Sequence, residues 1–243
     1  MVSTPVSVAA VIADAGLAAL LVAGLAYVAR AERRPRVLWI GGAAVLGWFG
    51  LVLALAKSGF FESTAATTMP PPIGPAILIP TVVGCALVAL APVRRLIARV
   101  PLHWLVGVQV YRIVGGLFLI AWLQDDLPAE FALPAGIGDV TVGILAPFVA
   151  LLVVRRGVER AWPAVVAWCA LGITDLVVAV TCGFLTAPST FQQLALDDPN
   201  AAITSYPLVL VPAFAVPVSI VLHVCVLARL STRAQQAPRA RLA

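Results

Sequence analysis

Apolar residues in this chain come in long uncharged blocks: 15–28 and 37–56 hold no ionisable side chain except one tyrosine. A helix rising 1.5 Å per residue needs about 20 such residues to cross roughly 30 Å of hydrocarbon. Blocks of this kind leave few folds open. Inside lipid no water can satisfy a backbone N–H or C=O, so each block must close its hydrogen bonds within itself, as a helix. Composition agrees: 62% of the 243 residues are hydrophobic and 11% charged, with mean hydropathy +1.04, against roughly 25% charged in soluble domains. The expectation is an all-α integral membrane protein whose first partner is the lipid bilayer.

Seven spans are predicted, near 7–29, 37–56, 73–91, 103–123, 136–154, 162–184 and 205–228. They form one polytopic domain over 1–230, followed by a short basic tail, 231–243. The connections after the first, third and fifth spans, with the tail, carry fourteen of the sixteen basic residues. Lysine and arginine stay on the cytoplasmic side, so the N-terminus is expected outside and the C-terminus in the cytoplasm. Trp39, Trp104 and Trp162 begin the second, fourth and sixth spans at the inner interface, and Glu62, Asp125, Asp126, Glu130, Asp197 and Asp198 lie in outer connections. The first block lacks the basic start of a cleaved signal peptide and is expected to remain as a span.

Several classes are excluded or disfavoured. The net charge of +5 comes from short runs at block ends, with no basic domain for nucleic acid. Cys85, Cys169, Cys182 and Cys225 lie inside apolar blocks without a CxxC, so neither a zinc site nor a disulfide framework is indicated. No HExxH or Ser/His/Asp set points to an intramembrane enzyme. The topology resembles that of microbial rhodopsins, but a retinal Schiff base needs a lysine in the last span. The single lysine, Lys57, ends the second. His103 and His223, both near the inner side, are the only candidate axial ligands for a haem; span-end histidines are more often interfacial, and no cofactor or metal is expected.

Charge inside a bilayer is costly and marks functional positions. Counted from the outer ends at 1.5 Å per residue, Asp14 lies about 10–12 Å deep, Asp175 roughly 14 Å, Arg112 roughly 16 Å and Asp139 about 5 Å. Helical spacing puts Gln109, Arg112 and Gly116 on one face of the fourth span. It puts Asp139, Gly143 and Ala146 on a face of the fifth, and Gly172, Asp175, Ala179 and Cys182 on a face of the sixth. Small residues let helices approach closely in lipid, so these acids should point inward. The run Ala135–Val142 echoes Leu171–Val178, with Asp139 matching Asp175 on spans of opposite direction, as in transporter inverted repeats.

Pro207, Pro212 and Pro217 predict a kinked seventh span. The stretch LPAEFALPAGIGD, 127–139, reads as an apolar outer lid built on Pro128, Phe131, Pro134, Gly136 and Gly138, because prolines disfavour helix just before them. Together these features suggest a small transporter or permease-like protein of a bacterial plasma membrane, with an Arg/Asp site opening outward to a small anionic solute. The alternative is a sensor, assembly factor or partner subunit, acting as a homo-oligomer or with another membrane protein. There the same residues form a structural ion pair.

Overall fold

The computed structural model describes residues 3–62 and 71–236, and side chains up to Ser231. Arg239 and Arg241 of the expected tail lie outside the described residues, as does the side chain of Arg233. Every regular element among the described residues is helical. These elements are α1 (Thr4–Ala31), α2 (Pro35–Lys57), α3 (Ile73–Ala89), α4 (Ala91–Ile97), α5 (Leu102–Leu123), α6 (Ala129–Thr186) and α7 (Val216–Gln236). Five helices are long and apolar enough to cross a membrane; α3 and α4, bent by 87° at Leu90, make a sixth if counted as one broken span.

The 58 residues of α6 do not run straight. Gly157 has φ 75° and ψ 162°, a region open essentially to glycine alone, and the helix folds back on itself there. Phe131 lies against Gly183, Gly138 against Asp175, and Trp168 donates from Nε1 to the Val142 carbonyl at 3.1 Å. Each pair straddles Gly157 at comparable distance along the chain. The expected fifth and sixth spans are thus the two antiparallel arms of one hairpin, joined by a single residue instead of a loop.

Two expectations fail at this level. The stretch 127–139 is no lid: α6 starts at Ala129 and includes Phe131, Pro134, Gly136 and Gly138, with Pro128 as its N-cap. Pro134 is only the sixth residue of the helix, so its missing N–H removes the bond to Glu130 and little more. Phe131 is buried and packs edge-on against Phe118, with ring centroids 5.2 Å apart. The seventh span is also later than expected. Residues 205–209 form turns, so Pro207 precedes the helix and does not kink it. Leu208, Val209 and Leu210 are fully enclosed there. Apolarity at 205–209 reported burial in protein, where irregular backbone is tolerated, not a helix facing lipid. Pro212 does sit in a distorted segment, a π-helical turn Val211–Ala215, and Pro217 in the first turn of α7.

What covers the Thr186 end of the bundle is the connection 187–210. Asn200, almost wholly buried, donates from Nδ2 to Thr186 Oγ1 at 3.2 Å and accepts from the Ile203 N–H at 3.3 Å. It pins the connection to the end of α6.

Among the described residues the apolar core falls into three clusters, one of which, with Tyr111, Leu176, Val218 and Leu222, runs alongside the polar residues. A second holds Leu102, Leu105, Val142, Val165, Trp168 and Val226. The third holds Phe118, Ala121, Phe131, Ala135, Ala187 and Leu208. Along α5, along both arms of α6 and along the last segment the chain passes between the second cluster and the third. The polar residue of each lies at the crossing: Arg112, Asp139, Asp175 and His223.

Candidate functional site

Helix α5 places Arg112 through an unusual backbone. Residues Val108–Gly115 are 3₁₀-helical within an otherwise α-helical rod, and 3₁₀ runs beyond three or four residues are uncommon. With three residues per turn, side chains at i and i+3 eclipse. Gln109, Arg112 and Gly115 are accordingly the three buried positions of the run. The α-helical face expected from the sequence, Gln109, Arg112 and Gly116, is therefore corrected by one position: Gly115 faces inward and Gly116 lies against Val140.

Arg112 is 2% exposed, and its guanidinium is fully engaged. Nε donates to Asp139 Oδ1 at 2.7 Å. Nη2 lies 2.7 Å from the same oxygen as an ion pair and donates to Asp175 Oδ2. Nη1 donates to the Gly172 carbonyl at 3.3 Å and to His223 Nε2 at 3.2 Å. Arginine has five N–H groups; four hydrogen bonds and the Nη2–Asp139 ion pair engage all three of its nitrogens. Acceptance at Nε2 leaves the His223 proton on Nδ1, a neutral imidazole lying over Trp168 with ring centroids 4.7 Å apart.

Asp139 shares this layer, against the expectation that it would be shallow. Because α6 begins at Ala129, Asp139 is ten residues in, about 15 Å along the axis, and Asp175 lies eleven residues from the opposite end. The hairpin thus carries both carboxylates to one guanidinium, each eighteen residues from Gly157. Glycines make the approach physical. A Cβ at Gly115 would overlap Asp139, one at Gly138 the Asp175 carboxylate, and one at Gly172 the His223 ring; at Gly143 it would stand 2.7 Å from the Ile113 nitrogen.

Asp14 reaches the same layer from α1 but does not join the ion pairs. It is 2% exposed, and its Oδ2 has no hydrogen-bond partner. It borders a cavity of about 30 Å³ together with Tyr111, Arg112, Asp139 and Ser219. Ser219 donates to the Ala215 carbonyl at 2.7 Å, and the Tyr111 and Ser219 hydroxyls are hydrogen-bonded to each other. Gln109 donates from Nε2 to the Ser219 carbonyl at 3.3 Å, tying α5 to α7. A second, apolar cavity of about 50 Å³ borders Asp139 from the side of the connection 187–210, between Ile77, Phe131, Phe184 and Ile203.

Of the residues singled out from sequence, Asp14, Gln109, Arg112, Asp139 and Asp175 converge. His223 joins them as a partner of Arg112. His103 does not: it is part-exposed at the start of α5, edge-on to Trp104. Among the described residues no three His, Cys, Asp or Glu side chains are arranged to hold a metal ion. Tyr111 and Ser219 were not foreseen. The signal for the α7 pair was present, since Ser219 and His223 stand four apart, on one helical face, in an otherwise apolar block.

No curated protein and no solved structure matches the chain. One sequence family does, over residues 83–231, described as "Domain of unknown function (DUF8737)". That segment contains Arg112, Asp139, Asp175, Ser219 and His223, while Asp14 comes from a helix before it. The match covers more than half of the 243 residues, and the chain belongs to the DUF8737 family.

Proposed function

We propose that this protein is a seven-span, permease-like protein of a bacterial plasma membrane, in which the Arg112 cluster and Asp14 form the solute- or ion-coupling site. The observation that carries the reading is the charge balance. Three carboxylates, the buried Asp14 and Asp175 and the part-buried Asp139, face one guanidinium and a neutral histidine. A purely structural bridge needs equal numbers, because each unpaired charge in a low-dielectric interior costs several kcal/mol. Non-α backbone flanks the site on two sides, at Val108–Gly115 and Val211–Ala215, as expected where transporters handle ions at membrane depth.

An anionic solute fits this site less well than the sequence suggested. Arg112 is already hydrogen-bonded to Asp139, Asp175, Gly172 and His223, so an anion would have to compete with Asp139 and Asp175 for it. A positively charged solute, or one moved together with a cation, meets acceptors that are free.

The seven spans of this reading take the two arms of α6 separately and count α3 with the interfacial α4. Arg94, Arg95, Arg99, Arg155, Arg156 and Arg160 then mark the cytoplasmic face, and Asp125, Glu130, Asp197 and Asp198 the outer one. Single cysteines at Asp197 and Arg156 check it. A membrane-impermeant maleimide is expected to label the first in intact cells, and the second only after permeabilisation. The reverse pattern would invert the protein.

A second reading follows from the saturation of Arg112 between two apolar clusters: a fixed hub in a sensor or partner subunit. Proteoliposomes on a solid-supported membrane separate the two. The permease reading expects transient currents with at least one small solute from a panel of amines, amino acids and carboxylates, lost in Asp175→Asn. Silence across the panel, with a stoichiometric partner co-purifying from native membranes, would establish the second.

A further inference from the structure

The cavity beside Asp14 offers acceptors and no donors. Asp14 Oδ2 is buried without a partner. Asp139 spends Oδ1 on both of its contacts with Arg112, so its other oxygen is left for the cavity. The Tyr111 proton goes to Ser219 or to the Ala215 carbonyl, and that of Ser219 to the same carbonyl, so the phenolic oxygen has lone pairs left for the cavity. The one cation on the cavity wall, Arg112, is committed to Asp139, Asp175, Gly172 and His223.

Such a wall cannot stay as it is in a membrane interior. The facing groups are Asp14 from α1, Tyr111 and Arg112 from α5, Asp139 from α6 and Ser219 from α7, with Asp175 and His223 behind Arg112. Summed over them, two negative charges remain uncompensated when all carboxyls are ionised. The volume, about 30 Å³, exceeds the roughly 10–15 Å³ that one water requires and suits a single small ion. The mouth of the bundle favours the same sign. A groove of about 470 Å³ at its outer end is bordered by Asp125, Glu130, Asp197 and Asp198, and such a field raises the local concentration of cations.

We infer that the cavity between Asp14, Tyr111 and Asp139 is a binding site for one monovalent cation, either an alkali ion held by the oxygens of these three residues or a proton carried by Asp14 alone. The inference identifies the coupling ion of the permease reading and rests on that reading for its purpose, though its test does not. Binding converts an acceptor-only cavity into a satisfied one and removes one of the two excess charges. Because Asp14 lies on α1 while Tyr111, Asp139 and Ser219 lie on other elements, occupancy draws α1 toward the rest of the bundle.

The test is thermal unfolding of the purified full-length protein, followed by tryptophan fluorescence. One titration adds NaCl against choline chloride at fixed pH and ionic strength; the other varies pH in choline chloride alone. A ligand that binds only the folded state raises stability with its concentration, and the wild type is expected to gain several degrees in one of the two. Asp14→Asn, which keeps shape and removes the charge, is expected to lose that gain. Tyr111→Phe separates the sources: it shifts the NaCl midpoint at least tenfold if the occupant is an alkali ion, and leaves the pH midpoint in place if it is a proton. Equal behaviour of wild type and Asp14→Asn in both titrations, including no response in either, would overturn the site. Cation-dependent stability without solute-driven current would keep the site and remove the permease.

Discussion

Gly138→Ala is expected to lower the apparent Tm by about 10 °C and to break the Arg112–Asp175 pair, although it adds one methyl group. The two arms of α6 approach so closely that a Cβ at 138 would occupy the space of the Asp175 carboxylate. Either that carboxylate leaves Arg112 or the arms separate, and a buried carboxylate then loses its cation. Uncoupling a buried pair costs about 3–5 kcal/mol, and each kcal/mol moves Tm by about 2–4 °C in a chain of this size. Gly47→Ala is the control, since nothing lies within 4 Å of a Cβ there; its Tm should match or slightly exceed wild type. A mutant cycle locates the cause. Asp175→Ala and the double variant Gly138→Ala/Asp175→Ala should melt alike, because the group that the new methyl strikes has gone. If Gly138→Ala costs as much in the Asp175→Ala background, the clash is elsewhere and the arms are held by something other than this pair.

That sensitivity bears on what the sequence could reveal. Charged residues in apolar blocks stand out, and helical periodicity pointed Arg112, Asp139 and Asp175 inward, as found. A common layer was legible for Asp14, Arg112 and Asp175 because their blocks have clean ends. It was misjudged for Asp139, where Pro128 and Pro134 disguised the start of a helix as a loop. Propensity rules weigh such prolines against water-exposed alternatives. In lipid, and against Phe118, the alternative is an unsatisfied backbone, and the helix prevails. The 3₁₀ run of α5 could not be foreseen for a different reason. Gln109, Arg112 and Gly115 share a face only once the backbone has tightened, and tightening is stabilised by partners on α6 and α7 that are remote in sequence. His223 shows the same dependence. Its neighbours are aliphatic, and its role lies in an arginine 111 residues away.

Replacing Arg112 discriminates a packing device from a working site. Arg112→Ala leaves Asp139 and Asp175 without their cation, and Gly172 and His223 without a donor. The expected result is poor recovery from the membrane and a stability loss at or above the 3–5 kcal/mol typical of a broken buried pair. That outcome alone is ambiguous, since any arginine so placed would behave this way. The informative partner is the apolar replacement of the whole cluster, Arg112→Met with Asp139→Leu and Asp175→Leu. Removing all the charges together removes their desolvation cost as well, and such exchanges are often neutral or stabilising. The triple variant is therefore expected to recover most of the wild-type Tm while Arg112→Ala does not. Its behaviour in proteoliposomes then carries the decision. A folded triple variant that passes no solute-driven current means the charges are retained for what they do, because the bundle has been shown to stand without them. A folded triple variant with wild-type currents means the opposite: Arg112, Asp139 and Asp175 only set the register of the helices, and the working group must be sought at Asp14 alone.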